Sequence, residues 1–213
     1  GVSAETAQDE PMDASAMQAL VETLESRANA VVEGQSPDGT DLSLPPTVLD
    51  IRPLGDEIQV GFLSASETET IYGVSGSSLS NITASWVSGV RAGDGEGPAV
   101  VIAASRFGDG ETAARAVEQS ADLVPLTIEP QPVDIVIEGA DAVQGYQYVS
   151  LNLADGAVDS FRGVMQVGST MVVVDVQGAA SVEVAQAAVT DLLTAQVACS
   201  GGTCELPEVD LGV

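Results

Sequence analysis

The 213-residue chain contains no histidine and no lysine. Histidine is the commonest general acid and base near neutral pH, so a Ser-His-Asp or Cys-His arrangement is excluded. The missing lysine removes Schiff-base chemistry and a phosphate-loop lysine. All six basic residues are arginines (Arg27, Arg52, Arg91, Arg106, Arg115 and Arg162), against 32 acidic residues, for a formal net charge of −26. Nucleic-acid binding needs clustered cations facing phosphates, and none are available. An anionic membrane surface would repel such a chain. No stretch reaches the ~18 consecutive apolar residues of a membrane span. Aromatic residues make up only 3% of the chain. The core must therefore be built from Val, Ile and Leu, with Ala favouring helices and the β-branched residues favouring strands.

What is present begins with a polar, acidic opening, "GVSAETAQDEPMD". It reads as a tether of the kind that follows a removed signal or lipid-anchor segment, with a cloning remnant as the alternative. The acid excess has two readings. One is a surface kept soluble by self-repulsion. The other is adaptation to high salt, where the Debye length falls to roughly 3 Å at 1 M and carboxylates can crowd without destabilising the fold.

Cys199 and Cys204 are the two cysteines, in "ACSGGTCELP". The glycines between them permit a tight bend. The pair is expected to form a small structural disulfide that pins the C-terminal tail. That points to an oxidising compartment, so we expect an extracytoplasmic protein, periplasmic, cell-surface or secreted, of bacterial type. Zinc wants four ligands, and no histidine or second cysteine pair supplies them. A redox motif would more usually separate its cysteines by two residues. No metal and no cofactor are expected.

Along the chain, Met17, Leu20, Leu24, Ala28 and Val31 recur at helical spacing, predicting a helix over Ala14–Glu33 that Asp13 starts and Gly34 ends. "GQSPDGTDLSLPPT" reads as a connection. Ile58, Val60 and Phe62 alternate as in a strand, and Thr70–Val74 could form a second. Leu79, Ile82, Trp86, Val87 and Val90 fit a helix over Ser78–Arg91. Asn81-Ile82-Thr83 spells a glycosylation sequon, but inside that helix it reads as accidental.

Then comes a unit written twice. "AVVIAASRFGDGETAARAV" (Ala99–Val117) and "MVVVDVQGAASVEVAQAAV" (Met171–Val189) each give a buried strand, a small-residue turn and a helix. Asp109 caps the first helix, which is expected to run to Leu123; Ser181 caps the second, expected to run to Val197. Glu111 and Glu183 lie near the positive helix ends. The repetition is either a weak internal duplication or convergence on good strand–helix grammar. Between the copies, strands are expected at Val133–Glu138, Tyr146–Leu153 and Val158–Val167, with turns at Asp155-Gly156 and 167–170. The sum is an α+β layout: a twisted, mainly antiparallel sheet with flanking helices, sandwich-like, plus an N-terminal helix. The division is a tether (1–13), the first helix (14–34), a connection (35–57), a main domain (58–198) and a disulfide-pinned tail (199–213).

The strand and helix order from "VDIVIEGADAVQGYQYVSLNL" through "FRGVMQVGSTMVVVDVQGAASVEVAQAAVTDLLTAQV" resembles the C-terminal part of PsbP/Mog1-like domains. It is also similar to sensor domains and lipoproteins of bacterial cell envelopes. The resemblance covers roughly residues 97–197 and rests on pattern, with no diagnostic motif. It implies a twisted antiparallel sheet flanked by helices, and binding of partners or small ligands in place of catalysis.

Chemical motifs are few. Gly73-Val74-Ser75-Gly76 is one residue short of a nucleophile elbow. The acidic glycine loops Gly93–Gly97, Phe107–Glu111 and Ser36–Asp41 lack the spacing and closing glutamate of an EF-hand, and read as solvated turns. Carboxylate pairs such as Asp155 and Asp159 could serve a hydrolase, but among so many acids chance pairs are expected. Trp86 is either core or an anchor for a ligand or partner, since aromatic residues anchor interfaces.

The leading expectation is a non-enzymatic extracytoplasmic binding protein for a protein partner or a small apolar ligand, with a surface between sheet and helix near Trp86, Tyr146 and Tyr148. The alternatives are a salt-adapted structural envelope protein and a carboxylate-based hydrolase. The charge imbalance predicts an unfolding midpoint that rises with NaCl concentration. A midpoint indifferent to salt in a denaturation series would remove the salt-adaptation reading.

Overall fold

The computed structural model describes residues 47–63, 82–93, 97–120, 130–152 and 156–212. The chain divides into two units, Gly1–Ser43 and Leu44–Val213, and every described residue falls in the second. The helix expected over Ala14–Glu33, the strand expected over Thr70–Val74, and the motifs at Gly73–Ser78 and Ser36–Asp41 lie outside the described residues, as do 94–96 of the Gly93–Gly97 loop and Asp155 of the carboxylate pair.

The second unit is α+β. Its strands are β1 (Gly55–Leu63), β2 (Ile82–Ala92), β3 (Ala99–Phe107), β4 (Gln131–Val133), β5 (Ala142–Asn152), β6 (Gly156–Val167) and β7 (Thr170–Gln177). Helix α1 is Gly110–Glu118 and helix α2 is Val182–Ser200. The strands form one seven-stranded sheet in the order β1-β2-β3-β7-β6-β5-β4, and every neighbouring pair is antiparallel. At one border β4 has only three residues and contains Pro132. At the other, β1 opens with Gly55, Asp56 and Glu57, and its register shifts between Glu57 and Gln59.

A helix covers each face of the sheet. Strand side chains alternate between faces, so one run of residues feeds two cores. Val100, Ile102 and Ala104 of β3, Val172, Val174 and Val176 of β7, and Phe161 and Met165 of β6 meet Ala185, Ala188, Val189, Leu192 and Leu193 of α2. The alternate residues Ala103, Phe107, Met171, Val173 and Val164 join Tyr146 under Ala113, Ala116 and Val117 of α1. This is why β7 reads "TMVVVDVQ" with no polar alternation: it is buried on both sides.

The helix starts follow the caps. The Asp109 carboxylate accepts from the Thr112 backbone N–H at 2.7 Å, and the Ser181 hydroxyl accepts from Val184 N–H at 3.3 Å. These bonds occupy backbone donors that have no partner within the helix. The β6–β7 hairpin closes between Val167 and Thr170, with Gly168 at φ +59°. That left-handed conformation costs glycine little. Asp141 and Gln166 fasten the turn. Asp141 Oδ2 accepts from Gly168 N–H at 2.7 Å, and Gln166 Nε2 donates to the carbonyls of Gly110 and Gly168 at 2.8 and 2.7 Å.

Several expectations are corrected. Residues 82–91, read as part of a helix, form β2: Val87 sits in one core and Val90 in the other, while Trp86 packs against the α2 core. A strand buried on both faces spaces its apolar residues irregularly, and here that spacing imitates a helix. The glycosylation spelling consequently meets the start of a strand at Ile82-Thr83, with Asn81 outside the described residues. The strand expected over Val133–Glu138 stops at Val133, and Val136 is 88% exposed. Helix α1 ends at Glu118, short of Leu123.

The connection expected through residue 57 is in part core. Val48, Leu49 and Ile51 are buried against the α2 side, and β1 already begins at Gly55. The tail after α2 belongs to the same core. Leu206 and Val209 pack against it and Leu211 is buried within it. A Cβ placed on Gly212 would lie 2.5 Å from Ala180 Cβ. The tail thus runs back along α2 to the point where that helix starts.

The twice-written unit also has an answer. β3 and β7 are adjacent, and the order β1-β2-β3 mirrors β5-β6-β7. A two-fold axis normal to the sheet would generate that order, but it would leave α1 and α2 on the same face. They lie on opposite faces, so no such rotation relates the copies. What the two copies share is local: a strand buried on both sides, then a capped helix.

Gly163 of β6 lies directly under α2. A Cβ there would come within 2.6 Å of both Val189 Cγ1 and Leu193 Cδ1. Gly163→Ala is therefore expected to lower stability by about 1–3 kcal/mol through overpacking, read as a shift of the urea midpoint at unchanged slope.

Candidate functional site

The α2 face is not filled to its end. Trp86 of β2 and Arg106 of β3 are diagonal neighbours there, since Trp86 pairs with Ala104. The Arg106 guanidinium carbon sits over the indole, 5.6 Å from its centroid. Around them lies a cleft of about 460 Å³, bounded by Ala104 on the floor, the 167–170 turn, Thr47 and Val48, and the last turns of α2 at Gln196 and Ser200. Small-molecule sites commonly span ~300–1,000 Å³. Its lining mixes apolar groups (Trp86, Val48, Ala104) with a cation and the hydroxyl residues of the turn.

Gln196 builds one wall. It is fully buried on an otherwise apolar stripe of α2. Its Oε1 accepts from Leu49 N–H at 2.8 Å, and its Nε2 donates to the Thr47 carbonyl at 2.8 Å. One amide thus holds residues 47–49 against the helix much as a neighbouring strand would. Removing it would leave the buried Leu49 N–H unpaired, at a cost of about 1–3 kcal/mol.

Tyr146 and Tyr148 lie elsewhere. Both are on the opposite face of the sheet from Trp86, and each is only 4% exposed. The Tyr146 hydroxyl bonds to Gln144 and to Ser120 just after α1. Tyr148 donates to Asp175 Oδ1 at 2.6 Å, and Arg162 Nε donates to Asp175 Oδ2 at 2.9 Å, with its Nη2 donating to the same oxygen. The Arg162 guanidinium also lies over the Tyr148 ring, 5.8 Å from the centroid. Gln177 Nε2 donates to the Tyr148 oxygen at 3.3 Å. Arg162 and Asp175 face each other directly across β6 and β7. Their side chains are 8% and 4% exposed, so truncating either would strand a buried charge, typically at about 3–5 kcal/mol. Burial, and then the neighbouring Asp175 charge, push the Tyr148 phenol far above its ordinary range.

The acidic turn Phe107–Glu111 is occupied by the fold itself. Asp109 caps α1, and its bond from Thr112 N–H holds that carboxyl below the usual carboxylate range. Among the described residues no group of three or more His, Cys, Asp or Glu could hold a metal ion. Cys199, buried in the last turn of α2, is disulfide-bonded to the exposed Cys204. No helix among the described residues is long and apolar enough to cross a membrane.

Of the three aromatic residues singled out from the sequence, then, one lines the cleft and two belong to an internal network on the other side. Arg106 and Gln196 were not foreseen. Their signals were faint: an arginine at the end of the apolar run "VVIAASR", and a lone amide among Leu192, Leu193 and Cys199.

No protein-family model and no curated protein matches this sequence. Among solved structures, an uncharacterized protein from Mycobacterium smegmatis is similar at 16% identity and a TM-score of 0.35, over 55% of this chain and 64% of that one. The match thus spans somewhat less than two thirds of that protein's length.

The Tyr148 site makes a prediction for alkaline pH. Folding favours the neutral phenol, while the unfolded chain ionises near pH ~10. The stabilisation is intact below about pH 10 and is lost as pH rises further, because the unfolded state then releases a proton that the folded state keeps. Denaturation midpoints taken on either side of about pH 10 should fall more steeply for the native chain than for Tyr148→Phe. Equal slopes would contradict the assignment.

Proposed function

We propose that this chain is a non-enzymatic binding protein that works outside the cytoplasm, in a bacterial envelope or secreted setting, and takes a small ligand into the cleft beside Trp86. The observation that carries this reading is the cleft itself: about 460 Å³, walled by Gln196, Thr47 and Val48, with the chain's only tryptophan on its lining. The buried polar network of Tyr148, Arg162 and Asp175 is saturated internally and offers nothing to a substrate. A chain lacking both histidine and lysine is poorly equipped for ordinary acid–base or covalent catalysis. The Cys199–Cys204 disulfide supports an oxidising compartment. The PsbP/Mog1-like and envelope-domain pattern of residues 97–197 supports a binding role.

Because Trp86 is the only tryptophan, its emission reports on this site alone. A screen of small amphipathic molecules is expected to yield compounds that shift it. Those shifts should vanish in Ala104→Leu, whose longer side chain occupies the cleft floor. Identical responses from a folded Ala104→Leu protein would place the ligands elsewhere and end the proposal.

A further inference from the structure

We infer that the cleft selects a singly charged organic anion, with its carboxylate held by Arg106 and its apolar body resting against Trp86, Val48 and Ala104. This deepens the binding reading above and rests on it. The first observation is charge pairing. The sequence has 32 acidic residues and six arginines, and three of the five described arginines meet a carboxylate. Arg52 is paired with Asp50, Arg115 with Glu111, and Arg162 with Asp175. Arg91 donates to the Gly97 carbonyl. Arg106 has no carboxylate partner among the described residues, and it stands at the cleft.

The second observation is how Arg106 is held. Its guanidinium lies over the Trp86 indole. This contact lies on one side of the planar group and leaves its N–H edges for an acceptor. A carboxylate matches such an edge with two parallel hydrogen bonds. Arg106 is exposed, and its contact with the indole restrains it, which lowers the ordering cost of binding.

The third observation sets the charge of the ligand. Among the described residues one cation lines the cleft, within a chain of formal net charge −26. A second negative charge on the ligand would meet no further cation among the described lining residues and the full repulsive field of the protein. A monoanion is therefore favoured over a phosphate monoester. The apolar half of the lining supplies the remaining affinity by burial.

The test uses the full chain and three probes: octanoate, 1-octanol and inorganic phosphate, followed by Trp86 emission and by calorimetry. Octanoate should bind roughly tenfold or more tighter than 1-octanol and resist displacement by phosphate. In Arg106→Gln its affinity should drop to that of the alcohol, while the alcohol is unaffected. Arg106→Lys, which keeps the charge and loses the fork, should fall between. Calorimetry covers the case in which removing the stacked guanidinium alters the tryptophan signal itself. Equal binding of acid and alcohol by the native chain, or an Arg106→Gln protein that keeps its preference for octanoate, would overturn the inference and leave the cleft a binding site for neutral molecules. Displacement of octanoate by phosphate at mildly alkaline pH, where phosphate is the dianion, would overturn the choice of a monoanion. Failure of both octanoate and octanol to bind would sink the cleft reading as well.

Discussion

A helix rests on each face of the sheet, and that constraint governs the middle of the molecule. β7, most of β3 and residues 160–166 of β6 have no solvent-facing side, so nearly every residue along them must be apolar or fully satisfied. The run of valines in β7 follows directly. So does the form of its exception. Asp175 interrupts that run in a place without water, and it is tolerated because Arg162 on β6 and Tyr148 on β5 together occupy its two oxygens. A buried ion pair of this kind adds little net stability compared with well-packed apolar residues, but it penalises any register in which the two strands slip.

The same constraint explains what could be read from the sequence. β3 and β7 were visible as short apolar runs, and α1 and α2 as capped helices, because Asp109 and Ser181 act within three residues of themselves. The 167–170 turn was visible for a similarly local reason: Gly168 supplies the backbone conformation. β2 was hidden because burial on both faces erased the alternation that marks a half-exposed strand. Val48, Leu49 and Ile51 sat in a proline-rich stretch whose composition spoke of a loop, and their burial depends on Gln196, 147 residues beyond Leu49. No local pattern encodes such a pairing. Trp86 stood out by rarity alone, whereas Tyr146 and Tyr148 stood out for the same reason and proved to be interior. Rarity marks a residue as costly to place; it does not say on which side of a sheet it will fall.

The disulfide and the returning tail close the α2 side. Cys199 is buried at the end of the helix, Cys204 begins the return, and Leu206, Val209 and Leu211 lay an apolar stripe along the core. With Gln196 holding residues 47–49 on that side, the helix is gripped from both ends of the chain's described part. The cleft lies between these fastenings and the β6–β7 turn, so its shape depends on segments far apart in sequence and held by polar clamps as much as by burial.

An open sheet has two rims, and each is a template on which another chain could lay a strand. Here one rim carries Asp56 and Glu57 beside a break in register, and the other is a strand of three residues that includes Pro132, which has no N–H to donate. Among the described residues, a second copy approaching edge-on meets carboxylates on one side and an interrupted ladder on the other. Fibril-like growth of the sheet is thus opposed at both borders, by charge at the first and by missing hydrogen bonds at the second.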